Sequence, residues 1–145
     1  MKAFTNIDQS KKLAEILPIE SADHHYVRKV TDFMGNPVDG EWSTPKYGNP
    51  NSKYANYMVQ NFTTYETIPC WSLAALIDVL PLGVEINNIS DGHKIYYYVK
   101  IYMKEIYIKS MGKEIFLSTE RHENLVDACY EMILKLKQRL RYDYN

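Results

Sequence analysis

The sequence contains few of the residues on which disulfide and metal scaffolds depend. Cysteine occurs twice in 145 residues, at Cys70 and Cys129, and neither belongs to a C-x-x-C pair. This spacing argues against a disulfide framework and against a cysteine-rich zinc site. The N-terminal stretch MKAFTNIDQSKK has no apolar core of the signal-peptide type, and no apolar run approaches the roughly 18 residues of a membrane span. We therefore expect a cytoplasmic protein that does not cross a membrane.

An excess of either charge is also absent. Seventeen Lys and Arg side chains stand against eighteen Asp and Glu, which gives a net charge of −1. Proteins dedicated to polyanions usually carry a basic excess, so the composition argues against such a role. Tyrosine, in contrast, is abundant, with thirteen residues, and it favours half-buried strands and interfaces. The length suits a single domain, residues 1–145, that buries about 70% of its unfolded surface.

The segment from Pro69 to Pro81 is predicted to be a central helix. Proline suits the first helical turn, and a second proline forbids continuation at the other end. Apolar residues recur between them at helical spacing, which indicates a mostly buried helix. These residues are Leu73, Leu76, Ile77 and Leu80.

Capping residues predict one helix near each end of the chain. The first is short, begins after Thr5 or Asn6 and runs to Leu17. The second begins at Asn124, whose side chain forms a variant of the capping box with Asp127. Acidic residues at its start and basic residues at its end match the helix dipole.

Alternation of apolar and polar residues predicts an antiparallel sheet. Its strands are expected at 24–31, 83–89, 95–103 and 114–118. Along 95–103, Ile95, Tyr97, Val99, Ile101 and Met103 face one side, and Tyr96, Tyr98, Lys100 and Tyr102 face the other. The alternation slips at Lys104-Glu105, which predicts a turn or a bulge. The predicted fold class is α+β, a meandering antiparallel sheet with the central and C-terminal helices packed on its dry face.

Residues 32–68 are predicted to form a long irregular segment. Three turn-forming clusters follow one another within it, and aromatic residues lie between them. Only 57–62 has the pattern of a short strand. A connection this long in a compact domain is usually functional or mobile, so we expect a binding surface here.

We predict an interaction surface made of aromatic and basic side chains. Its members are Tyr96, Tyr98, Lys100 and Tyr102 on the wet face of the sheet, with Trp42 and Tyr47 from the irregular segment. A row of exposed tyrosines is a surface that a monomer rarely leaves bare. We expect the 32–68 segment to cover it, and a second subunit or a ligand are the alternatives.

The same strand leaves nucleic-acid binding open as a second function. The run KIYYYVKI at 94–101 partly matches the base-stacking strand of RNA-recognition domains. Both glycines of that pattern are missing and no companion motif is present. Ordinary cross-strand pairing of tyrosines is the simpler explanation of these residues.

Catalytic and metal-binding motifs are weak. Cys70, predicted in the first turn of a helix, has the position of an activated thiol, and Cys-Trp is also found at the nucleophile of papain-like proteases. The residues expected before that nucleophile are absent, and nothing places His93 or His122 beside it as a base. The histidines have no metal-ligand spacing, because neighbours such as His24 and His25 point to opposite faces of a strand. We expect no enzyme activity, no cofactor and no metal.

Three blocks of the sequence resemble a family of small uncharacterised proteins encoded by phages, prophages and mobile elements of Bacteroidales. The blocks are SKKLAEILPIESAD, IPCWSLAALIDVLP and NLVDACYEMILKL. The resemblance implies a genetic setting and no activity. Together with the residues above, it leads us to expect a non-enzymatic accessory protein that binds a host or phage protein. The sequence does not predict its oligomeric state.

Overall fold

A computed structural model of the chain describes residues 2–49, 62–102 and 116–143. It divides into two compact units. The N-terminal unit is Phe4–Ala75, and the C-terminal unit is Leu76–Asn145 together with Met1–Ala3. The described residues contain helices and two antiparallel three-stranded sheets, so the predicted α+β class is confirmed. That the chain is a single domain stays a prediction.

The N-terminal unit is built on a sheet in the order β2-β1-β3. Its elements are α1 (Ile7–Ala14), a 3₁₀ turn (Ile19–Ser21), β1 (His24–Thr31), β2 (Lys46–Tyr47) and β3 (Thr64–Cys70). The predicted capping of α1 is present: Asn6 accepts a hydrogen bond from the Gln9 amide, and the Gln9 side chain accepts one from the Asn6 amide. The helix ends at Ala14, earlier than the predicted Leu17.

Part of the segment predicted as irregular lies along β1. Asp32 closes a turn by accepting hydrogen bonds from the amides of Met34 and Asn36. The chain then returns beside β1, where the Val38 amide donates to Val30 and the Ser43 amide donates to Val27. Residues 50–61, which include most of the predicted 57–62 strand, lie outside the described residues.

The C-terminal unit contains a meander in the order β4-β5-β6. Its strands are β4 (Val84–Ser90), β5 (Ile95–Tyr102) and β6 (Phe116–Ser118), and they are followed by the long helix α3 (Leu125–Asp143). α3 packs against β5. Buried side chains come from both elements: Val99, Ile101, Val126, Ala128, Cys129, Met132 and Ile133. The predicted slip at Lys104-Glu105 lies outside the described residues.

The start of the central helix differs from the prediction. α2 covers Leu73–Val79, whereas Pro69 and Cys70 belong to β3. Proline is tolerated there because β3 is an edge strand, where a missing N–H breaks no ladder. The helix begins instead after Ser72, whose hydroxyl accepts a hydrogen bond from the Ala75 amide.

The strands form two sheets instead of the one meander predicted. β1 is paired on both sides, by β2 and β3, and so offers no edge to β4. β4, β5 and β6 pair in chain order, as a meander requires, but in a sheet of their own.

Candidate interaction surface

The alternation of burial predicted along β5 is present over Val99–Tyr102, whereas Ile95, which was predicted to lie on the dry face, is 55% exposed. Val99 and Ile101 are buried, while Lys100 is half-buried and Tyr102 is exposed. Hydrogen bonds of Tyr97 with His122 and of Val99 with Thr119 run toward the β6 side. Tyr96, Tyr98, Lys100 and Tyr102 therefore share the opposite face from the buried pair, as expected for successive residues of a strand.

The exposed part of this face is an aromatic pair joined to a lysine. The rings of Tyr102 and Phe116 are cross-strand partners that meet edge to face, with centroids 5.6 Å apart. The Lys100 ammonium lies 4.7 Å from the centroid of Phe116 and 3.6 Å from the carboxylate of its cross-strand partner Glu85. Tyr102 is 38% exposed and Phe116 45%. We call Lys100, Tyr102 and Phe116 the aromatic face.

Phe116 was not among the predicted site residues. It belongs to the segment 114–118, which was predicted to be a strand, but the strand partner of that segment was not predicted. The register places it directly opposite Tyr102, and that pairing depends on residues far apart in sequence.

A β-bulge lies beside the aromatic face. Val99 pairs with Thr119 and Tyr97 pairs with His122, so Tyr98 faces two residues, Glu120 and Arg121. An open depression of about 470 Å³ lies at the bulge. It is lined by Tyr98, Ser118, Thr119, Glu120 and Arg121. Bulges bend a strand and re-aim its side chains, and this one ends the regular pairing of β6.

Glu131 of α3 holds the bulge in place. Its carboxylate accepts hydrogen bonds from the Glu120 amide at 3.1 and 3.2 Å and from His122 Nε2 at 2.8 Å. Lys135 lies 3.2 Å from the same carboxylate and donates to the Ser118 carbonyl at 2.9 Å. Burial raises the pKa of Glu131, but these donors outweigh burial and hold the pKa below its ordinary value of 4.5. The contacts of Glu131 and Lys135 thus join α3 to the sheet.

Trp42 and Tyr47 belong to the other unit. Trp42 stacks on the Arg28 guanidinium, which lies 4.7 Å from the ring centroid and 2.7 Å from the Glu66 carboxylate. Tyr47 is highly exposed and its ring meets that of His24 at 5.5 Å. The six predicted residues thus divide into four on β5 and two in the N-terminal unit. Coverage of the β5 row by the 32–68 segment stays a prediction.

Cys70 is enclosed by hydroxyl groups at the end of β3. Its sulfur lies 3.8 Å from Thr5 Oγ1 and 3.7 Å from the Thr5 carbonyl, which also accepts a hydrogen bond from the Tyr26 hydroxyl. The side chain is fully buried, and burial raises the pKa of the thiol. Because Cys70 is in a strand, the helix-dipole activation considered from the sequence does not apply.

Ser72, Asp23 and His24 form a cluster that resembles a catalytic triad only in composition. Asp23 lies between the other two: its carboxylate accepts hydrogen bonds from the amide and the hydroxyl of Ser72 and lies 3.0 Å from His24 Nδ1. A triad requires the histidine to contact the serine hydroxyl. Here the hydroxyl donates to the carboxylate and caps α2, which is a structural arrangement.

Comparison of the chain with protein-family models, curated proteins and solved structures finds no match among them. The site is therefore described from this chain alone. Within residues 2–49, 62–102 and 116–143, no three His, Cys, Asp or Glu side chains are arranged to hold a metal ion. Among the helices described, none has both the length and the apolar character needed to cross a bilayer.

Proposed function

We propose that this chain is a non-enzymatic protein-interaction protein and that the aromatic face contacts its partner. The observation that carries the proposal is the exposed Tyr102–Phe116 pair on a sheet face where Tyr96, Tyr98 and Lys100 are half-buried. Aromatic side chains are enriched in the cores of protein interfaces, where they bury a large area with little loss of conformational freedom.

The ion pair at Lys100 favours a protein partner over nucleic acid. The Lys100 ammonium lies close to both the Glu85 carboxylate and the Phe116 ring. A cation already balanced by a neighbouring carboxylate contributes little to phosphate binding, which depends on release of counterions. The resemblance to proteins of phages and mobile elements makes a host or phage protein of the cytoplasm the expected partner.

Affinity purification from the host tests the proposal. The wild-type chain and a Tyr102→Ser/Phe116→Ser double variant are immobilised, and the captured proteins are identified by mass spectrometry. Phe33→Ser serves as the control, because Phe33 is an exposed aromatic residue of the N-terminal unit. We expect a protein that binds the wild type and the control but not the double variant.

Two results would contradict the proposal. One is a captured protein that the double variant, shown to be folded by circular dichroism, retains in full. The other is salt-dependent retardation of single-stranded RNA by the wild type that the double variant abolishes, which would assign the aromatic face to nucleic acid.

A further inference from the structure

The outer edge of β4 carries backbone groups that no described residue pairs. β4 lies at one end of the sheet, and it pairs with β5 over its whole length. Tyr97 and Val99 direct their backbone hydrogen bonds toward β6. Tyr98, which lies between them, therefore directs its backbone hydrogen bonds toward β4. The β4 residues opposite Tyr97, Val99 and Ile101 therefore point their N–H and C=O groups away from the sheet. These residues are Asn88, Ile86 and Val84, and in the described part of the chain no hydrogen bond reaches them.

Among the described residues, β4 has no lysine, no proline and no bulge to discourage strand addition. Natural edge strands carry lysine, proline or a bulge. β4 contains one charged residue, Glu85, and its pairing with β5 shows no shift of register. The opposite edge of the sheet differs, because Lys135 there donates to the Ser118 carbonyl. Ile86 and Ile89, on the two faces of β4, are 43% and 37% exposed.

We propose that the outer edge of β4 pairs with β4 of a second copy of this chain. The pairing is antiparallel, about a two-fold axis that passes beside Asn87. It joins the β4-β5-β6 sheet of one copy to the same sheet of the other copy. In this register the whole of β4 lies opposite β4 of the second copy. Ile86 faces Asn88 of the partner subunit, Glu85 faces Ile89 of the partner subunit, and no carboxylate meets another.

The Asn87 side chain supports this choice of occupant. Its amide nitrogen is buried and has no hydrogen-bond partner among the described residues. On the axis, Asn87 lies opposite Asn87 of the partner subunit in a pair without backbone bonds, where Cα atoms approach to about 4.5 Å. A rotation of the two side chains lets each amide donate to the other. A strand from another protein meets the same backbone groups but supplies no such match to Asn87.

The oligomeric state tests the proposal first. Sedimentation of the full chain is measured over a range of concentrations, together with Ile86→Lys and Ile19→Lys. The second variant is a matched control, since Ile19 is 39% exposed and belongs to the N-terminal unit. We expect a monomer–dimer equilibrium whose dissociation constant rises about tenfold or more in Ile86→Lys, because like charges then lie diagonally across the axis. Ile19→Lys is expected to leave it unchanged.

Cysteine cross-linking tests the register. Only a residue on the two-fold axis meets its own copy, so Asn87→Cys is expected to form a covalent dimer under mild oxidation. The Cα separation of about 4.5 Å at such a pair is compatible with a disulfide. Asn88→Cys is the control, because it faces Ile86 of the partner subunit and is expected to remain unlinked. The native Cys70 and Cys129 are buried and do not interfere.

Two outcomes would overturn the proposal. A chain that remains monomeric to about 100 µM, a weak affinity for a specific complex, has no self-association through β4. A dimer that withstands Ile86→Lys or that cross-links equally through Asn88→Cys uses another surface or register. Both outcomes are independent of the aromatic face, because none of these substitutions alters Tyr102 or Phe116.

Discussion

At the level of single residues, Cys70 illustrates how the choice between helix and strand changes the chemistry expected of a side chain. Placed in a helix, the thiol would lie near a positive dipole end that favours the thiolate. Placed in β3, it lies among Thr5, Ser10 and Tyr26 and is fully buried. Burial favours the neutral thiol, so the reactivity considered from the sequence is not supported by the geometry.

Cys70 is accordingly expected to react slowly with iodoacetamide in the folded protein and fast after unfolding in urea. The reason is that both the raised pKa and the burial of the sulfur oppose attack. Mass spectrometry of the labelled peptide gives the rate. Cys129, which burial gives a pKa of about 11, serves as an internal reference. Labelling of Cys70 much faster than Cys129 in the native state would contradict this prediction.

Gly40 permits the return of the chain along β1. A Cβ atom at this position would lie 2.3 Å from the Lys29 carbonyl oxygen and 2.9 Å from the Lys29 nitrogen. Both atoms belong to the backbone of a strand paired with β3, so they cannot move aside independently. The glycine is required here by close approach of two backbones.

Gly40→Ala is therefore expected to destabilise the protein by about 1–3 kcal/mol, as overpacking does. Urea unfolding followed by circular dichroism measures the change. Gly83→Ala is the comparison, since Gly83 has a φ of 89° but open space around it and should show only the conformational cost of a side chain at positive φ, about 1–2 kcal/mol. Equal effects of the two substitutions would mean that the segment moves off β1.

Local chemistry predicted some residues correctly and others not at all. The cap of α1, predicted at Thr5 or Asn6, and the cap at Asn124 follow from short-range patterns, and the structure has them at Asn6 and Asn124. The stacking of Trp42 on Arg28 and the pairing of Phe116 with Tyr102 depend on registers between distant segments. Such registers are set by the assembled sheet, so no local pattern contains them.

At the level of elements, the largest error concerned the start of the central helix. Proline is favoured in a first helical turn and is also tolerated in an edge strand. The local sequence around Pro69 satisfies both rules. Pairing of β3 with β1 decides between them, since residues 64–70 continue the ladder to His24. The helix then begins where Ser72 can cap it.

The junction of α3 with the bulge gives a prediction about pH. The pKa of Glu131 is lower in the folded protein than its ordinary value of 4.5, so the folded state favours the carboxylate. Its contribution to stability is present above pH 4.5 and is lost as the pH falls through the lower folded pKa. Glu131→Gln is expected to cost about 1.5–3 kcal/mol near neutral pH, the range for hydrogen bonds to charged groups.

Urea unfolding at neutral and at acidic pH measures this difference. The stabilities of wild type and Glu131→Gln should converge at a pH well below 4.5, where both side chains are uncharged. Glu120→Gln provides the control, because Glu120 is an exposed neighbour whose amide, and not its carboxylate, takes part in the junction. A difference that persists unchanged in acid would show that Glu131 acts through packing instead of charge.

At the level of the whole molecule, the α+β class follows from the sequence because it needs only the type of each element. The alternation of β5 and the capped, apolar stripe of α3 were sufficient for it. The division of the strands into two sheets was not predictable in the same way. It depends on which strands pair with each other. β1 pairs with β2 and β3, which become its neighbours only after the chain has folded back. The alternation within one strand likewise puts Tyr98, Lys100 and Tyr102 on one face of β5, whereas their association with Trp42 and Tyr47 stays a prediction.

The last prediction concerns one buried side chain of α2 and one of α3. Leu76 and Met132 are fully buried in the C-terminal unit. Leu76→Ala and Met132→Ala are each expected to cost about 2–5 kcal/mol, which combines lost transfer free energy with the cavity left behind. Leu82→Ala is the matched control, because Leu82 is fully exposed and its truncation should change stability by less than about 0.5 kcal/mol. Urea unfolding measures all three. If both buried truncations were as mild as the control, the two helices would not contribute to a packed core, and the architecture described above would be wrong.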